Sequence, residues 1–372
     1  MIRVLHVVGK MNRGGIETFL MNVYRKIDRQ KVQFDFLVHT EDECDYNEEI
    51  FKLGGKIYSI PPRKQGFFKN RKSLIAFFKK HQDYKVVHQH ISSLSYVEPL
   101  KIATKFGIPI RIVHGHSSQE GGSFFNKYIH KWNQIGVKTY ATDYFACSDT
   151  AAEWLYHQKH FRSGEFTIIN NGIETARFAY NPIIRNQIRR ELGIDNKFVV
   201  GNVGRLVHSK NHDFLLDIFK CVHDIEPETV LICVGDGELR QEIQEKVYSL
   251  ELEDSVILTG TRTNISDLLQ AMDIFIMPSL YEGLPVTLVE AQSSGLHCLV
   301  SDRITRNVNV TDLIEYININ NNAEYWAEKA ILLYQSQKRK VTTNQIIKSG
   351  FDVKGVAKHL EEFYIKTLKG RY

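Results

Sequence analysis

The chain has 372 residues, 43% of them apolar and 24% charged, and a formal net charge of +5 spread along its length. This is too long for one hydrophobic core and too evenly charged for a dedicated nucleic-acid binder, so two soluble globular domains with locally built sites are expected. Five scattered cysteines, Cys44, Cys147, Cys221, Cys233 and Cys298, form no CxxC pair and have no histidine at zinc spacing, which argues against a disulfide framework or a structural metal.

The opening MIRVLHVVGKMNRGG carries an apolar run far shorter than the roughly 18 residues that span a bilayer, and it leads into glycines rather than a cleavage site. It reads as a buried strand of a cytoplasmic protein. In GKMNRGGIETFL, residues 9–20, Gly14 and Gly15 stand between that strand and the first helix, where backbone can approach a phosphate or sugar closely. The alternative is a tight turn with Glu17 near the positive end of the helix. The spacing of Gly9 and Gly14 is not GxGxxG, which disfavours dinucleotide binding and a dehydrogenase.

Residues 61–85, PPRKQGFFKNRKSLIAFFKKHQDYK, interleave seven cations from Arg63 to Lys80 with Phe67, Phe68, Phe77 and Phe78, with no acid before Asp83. The mix suits anionic headgroups with aromatic insertion; a solvated helix whose phenylalanines face the core, or a nucleic-acid surface, would give the same pattern. Further on, KVVHQH and RIVHGH place His88 with His90 and His114 with His116, each pair two apart and so on one face of its strand. Strand carboxyl ends bind ligands in open α/β sheets, so a ligand contact by at least one histidine is expected beside the plain alternative of satisfied structural histidines. A metal is disfavoured because no acidic residue falls at ligand spacing.

Short β-branched runs separated by amphipathic stretches recur throughout: IRVLHVV, FDFLVH, KIYSI, KVVHQH and IRIVHGH, then FVVGNVG, VLICVGDG, VILTG, IFIMPS and HCLVSD. They indicate parallel strands with crossover helices in two doubly wound α/β units. The seam is placed in TIINNGIETARFAYNP, where a short strand meets an Asn-Gly turn. This gives a first domain over 1–172 and a second over 173–354, followed by a C-terminal helix of about 355–372.

In the second half, GNVGRLVHSKNHDFLLDIF ends a strand at Val203 and sets Arg205 and Lys210 in the following loop. A planar fork and a point charge suit two neighbouring phosphates, though a basic loop can equally be solvated surface. Asn202, Asn211 and His212 would hydrogen-bond a ligand or cap the next helix. In SLYEGLPVTLVE, Pro285 suits a first helical turn, which leaves Glu282 in the loop and Glu290 more than one turn inside. Free N–H groups of Gly283, Leu284 and the first turn would attract phosphate, with a hydroxyl-binding carboxylate on either side. A nucleotide diphosphate sugar has that layout; two ordinary surface glutamates are the alternative.

These motifs, in this order, resemble the GT-B retaining glycosyltransferases of glycosyltransferase family four, especially enzymes of bacterial exopolysaccharide and capsule synthesis. The resemblance implies two Rossmann-like domains facing a cleft, with the C-terminal helix crossing back to the first domain. It assigns Arg205 and Lys210 to the donor diphosphate, Glu282 to donor-sugar hydroxyls and Glu290 to ribose hydroxyls. Gly283, Leu284 and the carbonyl of Pro285 would line the sugar pocket. Gly14 and Gly15 would approach the phosphate or acceptor, and His116, or else His114, would contact the transferring sugar. It further implies a UDP-sugar donor, no cofactor and no metal, and a polyprenyl diphosphate-linked saccharide acceptor at the inner face of the cell membrane. LHCLVSD, residues 296–302, departs from the pattern, since many relatives carry a Gly-Xaa-Pro turn there. A nucleotide-sugar epimerase of the same fold and a non-catalytic nucleotide-sugar binder are the rival readings.

Overall fold

A computed structural model describes residues 1–117, 124–156, 164–336 and 338–370. Two compact units emerge, Met1–Gly172 with Asp352–Tyr372, and Ile173–Phe351.

In the first unit the strands are β1 (Ile2–Val8), β2 (Val32–Val38), β3 (Ile57–Ser59), β4 (Val86–Ile91), β5 (Ile110–Gly115), β6 (Asp143–Ala146) and β7 (Thr167–Ile168). All pair in parallel, in the order β3-β2-β1-β4-β5-β6-β7. The second unit holds β8 (Phe198–Val203), β9 (Thr229–Val234), β10 (Val256–Leu258), β11 (Ile274–Met277), β12 (His297–Ser301) and β13 (Ile314–Ile317), parallel in the order β10-β9-β8-β11-β12-β13. Every residue of β2, β4, β8, β9 and β12 is buried. That burial is why these strands read as near-continuous apolar runs rather than alternating ones. Sequence pattern misses β6 and β13, four residues each, because both carry an acidic residue and lie toward the sheet edges, half-buried.

Each sheet grows to one side from its first strand, then resumes on the other. The order therefore switches between β1 and β4 in one unit and between β8 and β11 in the other. Loops leaving the carboxyl ends of two such neighbours part in opposite directions and open a crevice within the unit.

The C-terminal helix, Val353–Gly370, completes the first unit's core, burying Val353, Val356, Ala357, Leu360 and Tyr364 beside Phe34 and Phe36. Residues 371 and 372 of the expected helix lie outside the described residues. The basic-aromatic stretch divides in two. Phe77 and Phe78 are buried on the helix Phe67–Lys80 while Phe67 and Phe68 at its start are exposed, so only part of 61–85 presents aromatic surface.

Candidate active site

The loops leaving β8 and β11 are stitched together across the second switch point. The N–H of Leu280 donates to Ser209 O at 2.9 Å, and Asn211 Nδ2 to Pro278 O at 3.1 Å. Asn211 sits at φ 56°, a left-handed conformation that Asn tolerates better than most residues. The loop after β9 supports this from below: a Cβ on Gly235 would fall 2.0 Å from Gly204 O, and one on Gly237 2.4 Å from Leu206 O. Only glycine allows that backbone approach, which accounts physically for the VGDG motif.

On this frame Lys210 Nζ meets Glu282 Oε1 at 2.6 Å, with their side chains only 17% and 11% exposed. The two residues expected to serve different parts of a ligand thus hold each other. Water screens such a pair weakly, and removing one partner would leave the other charge uncompensated. Arg205 is exposed and makes no ion pair or side-chain hydrogen bond among the described residues. Its guanidinium is free to meet an anion.

The helix after β11 spans Val286–Ser293, with Pro285 at its N-cap rather than inside its first turn. The N–H groups of Gly283, Leu284, Val286 and Thr287 have no hydrogen-bond partner among the described residues, so the mouth keeps the free donors typical of helix starts. A Cβ at Gly283 would meet nothing within 4 Å, so this glycine borders open space. Glu290 lies in the second helical turn, where burial pushes its carboxyl up to about 8 while Arg177 pulls the other way. The carboxyl is therefore mostly protonated at neutral pH.

Several buried polar atoms around these loops have no partner among the described residues: Ser279 Oγ, Thr287 Oγ1, Asn202 Oδ1 and both ring nitrogens of His212. Buried polar atoms are normally paired, so these are groups that a ligand or ordered water would satisfy. Sequence reading missed Ser279 and Thr287, whose only signal is proximity to the Glu-Gly-Leu-Pro turn. Asn202 also ties two strands of the sheet together, since its Nδ2 donates to Ile276 O at 2.7 Å.

In the first unit Gly14 is the N-cap of the helix Gly15–Lys26. A Cβ there would lie 2.4 Å from Glu17 Oε2, whereas one on Gly15 would meet nothing within 4 Å. A carboxyl group thus already stands at this helix mouth, which makes it a poorer phosphate site than the mouth after β11. The register aligns His6 with His88 and His90 with His114, so β1, β4 and β5 present His6, His88, His90 and His114 on one face, with His116 just past the end of β5. His6 Nδ1 lies 3.0 Å from His90 Nε2, His90 Nδ1 2.9 Å from His116 Nε2, and His88 Nε2 3.2 Å from His114 Nδ1. Tyr364 Oη ends one chain, 2.7 Å from His88 Nδ1. Burial holds His6 and His116 down at about 3 and the other three well below the usual range, so all five are neutral at physiological pH. Nitrogens of His6, His88 and His90, and of His90, His114 and His116, fall within 4.8 Å of one another. His6 and Tyr364 were not foreseen, because strand register and the docking of the last helix bring them in.

The family profile described as Glycosyl transferases group 1 matches residues 184–350, and that described as Glycosyltransferase Family 4 matches residues 13–177. The chain is 36% identical over 335 residues to the EpsF protein of Bacillus subtilis (strain 168), covering 88% of this chain and 86% of that protein. This chain belongs to glycosyltransferase family four. A second relative is the UDP-Gal:alpha-D-GlcNAc-diphosphoundecaprenol alpha-1,3-galactosyltransferase of Escherichia coli, 31% identical over 317 residues, 81% of this chain and 79% of that one. The crystal structure of Anabaena Alr3699/HepE in complex with UDP superposes with a TM-score of 0.79 at 17% identity, covering 98% of this chain and 100% of that chain. The fold of this family-four chain is therefore GT-B, with a Rossmann-like sheet in each unit, and the protein is a glycosyltransferase.

Proposed function

We propose that the protein moves a sugar from a UDP-sugar to a saccharide carried on a polyprenyl diphosphate, in exopolysaccharide or capsule synthesis, with retention of anomeric configuration. The observation that carries this is the second switch point. A free Arg205, the Lys210–Glu282 pair and unsatisfied helix-mouth N–H groups stand on two loops fastened to each other. Such a site matches a diphosphate with hydroxyl-rich groups on either side. The Escherichia coli relative, named for UDP-Gal and a diphosphoundecaprenol acceptor, supports the donor and acceptor classes.

Arg205, Lys210 and the N–H groups of Gly283 and Leu284 are assigned to the diphosphate, Glu282 to donor-sugar hydroxyls and Glu290 to the ribose. Pro285 has no N–H and lines the pocket through its carbonyl. In the first unit His116, or else His114, is assigned to the transferring sugar, and Gly14 and Gly15 to the phosphate or acceptor. Neither carboxylate is placed as a nucleophile. The sugar C1–O bond to the diphosphate breaks as the bond to the acceptor oxygen forms on the same face, and the acceptor proton passes to a diphosphate oxygen. Charge building on the leaving diphosphate is met by side chains and backbone dipoles, so no divalent cation is required.

The test is sugar transfer from a panel of UDP-, GDP- and ADP-sugars to a polyprenyl diphosphate-linked monosaccharide, with and without EDTA, the product linkage read by NMR. An α-linked product from an α-linked UDP-sugar, formed equally in EDTA, is expected. Transfer from GDP- or ADP-sugars alone, inversion, or abolition by EDTA would each refute the corresponding part.

A further inference from the structure

The second unit holds a cavity of about 340 Å³ beside Ile274 and His297, the first residues of β11 and β12. The loops bearing Lys210 and Glu282 leave the carboxyl ends of β8 and β11, so this cavity lies at the other end of the same sheet. Arg185, Lys338 and Arg339 line it, and Asp273 is the one carboxylate among the described lining residues.

That carboxylate is already committed. It accepts from Arg185 Nη2 and from Arg189 Nη1, the latter at 3.1 Å, and its Oδ2 takes the N–H of Val199 at 2.8 Å. Arg339 meets no carboxylate among the described residues. Its Nη1 donates to Ser294 O at 2.6 Å, and its Nη2 to Leu269 O at 2.8 Å, Gln270 O at 2.9 Å and Met272 O. Lys338 is exposed, with no ion pair among the described residues. Asp312, beside His297, is taken by Lys340 at 2.6 Å.

The plain alternative is that these arginines only cap the carbonyls that end the helix Ile265–Ala271. Carbonyls satisfy N–H groups but do not cancel charge, and here three guanidiniums and an ammonium answer to one carboxylate. A buried cation without a counter-ion is costly, and burial together with Arg185 pulls Arg339 down to about 9. Arg339 Nε and His297 Nε2 are also buried with no partner among the described residues, and His297 is only 8% exposed. Buried polar atoms are normally paired, so an anion entering the cavity would meet both unbalanced charge and unused nitrogen atoms.

The walls indicate what carries the anion. The Arg339 guanidinium lies 4.9 Å from the centre of the Tyr180 ring, and the Tyr334 ring stacks on Phe198 at 3.9 Å, so both lining tyrosines are held in place. Rings bearing hydroxyls, beside Ile274 and Leu333, suit a small molecule with an apolar face and hydroxyl groups of its own. The volume is at the small end of ligand pockets, which suits one sugar ring with a phosphate rather than a whole nucleotide diphosphate sugar.

We propose that this cavity is a second binding site, separate from the donor loops, for a monosaccharide phosphate whose phosphate is met by Lys338, Arg339 and His297. It does not rest on the donor or acceptor assigned above.

The full chain is titrated by calorimetry with glucose 6-phosphate, glucose 1-phosphate, inorganic phosphate and glucose, beside Lys338→Glu, Arg339→Met and Arg205→Ala. Expected are binding of at least one sugar phosphate, weaker binding of inorganic phosphate and none of glucose. Lys338→Glu and Arg339→Met each weaken the sugar phosphate at least tenfold, whereas Arg205→Ala leaves it unchanged. Lys338 is exposed, so thermal unfolding of Lys338→Glu stays unchanged and that variant decides the matter if Arg339→Met does not fold. No binding of either sugar phosphate, or equal affinity in Lys338→Glu, overturns the site. Loss in Arg205→Ala alone also overturns it and gives the phosphate to the donor loops. Inorganic phosphate binding as tightly as the sugar phosphates overturns the sugar part of the assignment.

Discussion

The two switch points share a topology and are built from opposite materials. Beside β1 and β4 the first unit carries five neutral imidazoles bonded to one another and covered by Phe19, Phe34 and Tyr364. Beside β8 and β11 the second unit carries a lysine, a glutamate, a free arginine and unpaired N–H groups on loops. A covered sheet face keeps polar groups only when they are neutral and paired, whereas loops that meet a ligand can hold charge. One region is specified by packing and the other by the anion it is to receive.

Acid should break the first region before the second. A buried histidine with a lowered folded pKa contributes stability that is complete above its unfolded value near 6.5 and is lost as pH falls below it, since the unfolded chain then binds the extra proton. Each such group that stays neutral in the folded chain costs up to ~1.4 kcal/mol per pH unit below its unfolded value, a sizeable share of the net stability of many domains. Thermal unfolding of the full chain between pH 7.5 and 5.0, with hydrogen exchange locating the loss, should show β1, β4 and β5 opening first. Uniform loss in both units would refute the contrast.

The ionic region should show itself in turnover. Lys210→Ala and Arg205→Ala are each expected to lower kcat by about 10²–10³, as removal of a charge-stabilising donor does. Lys210→Ala should also destabilise the free protein by more than Lys210→Ala/Glu282→Ala does, because the single change strands Glu282. Equal stability in the two variants would show that the pair is solvated.

Glu290 gives a smaller, pH-dependent effect. Its folded value is raised to about 8, so ionisation costs stability as pH climbs from the ordinary carboxylate range through 8. Ribose hydroxyls that donate to the carboxylate would favour the ionised form. UDP binding by calorimetry should then release a proton at pH 7 and strengthen by up to about tenfold per unit as pH approaches 8. Glu290→Gln should abolish that slope, and a flat profile in the unmodified protein would remove Glu290 from the ribose. The smallest effect is reserved for Asn202→Ala, expected to cost about 1 kcal/mol of stability through its bond to Ile276, with KM for donor unchanged.

Much of the architecture was legible because parallel strands buried on both faces need uninterrupted apolar runs, and the second unit's loops because glycine, proline and charge cluster at strand ends. What stayed hidden were relations between distant residues. His6 looked like an ordinary strand residue until register set it opposite His88. Ser279 and Thr287 carried no signal beyond their nearness to the Glu-Gly-Leu-Pro turn. Phe78 and Phe68 stand on one helix, each between a phenylalanine and a lysine in sequence, yet one is buried and the other 83% exposed.

The sequence by itself determined the alternation of strands and helices, the two sheets, the family and the short segments from which the candidate site is made, because these depend on local periodicity and turn chemistry. Only the tertiary structure decided that Lys210 and Glu282 meet, that five histidines gather at β1, β4 and β5, that Tyr364 closes their chain and that the Phe124–Tyr140 helix turns its aromatic groups outward. Those outcomes depend on register, crossover direction and which face of each helix finds a core, and a local stretch of chain carries no energy term for any of them until the distant surfaces are packed.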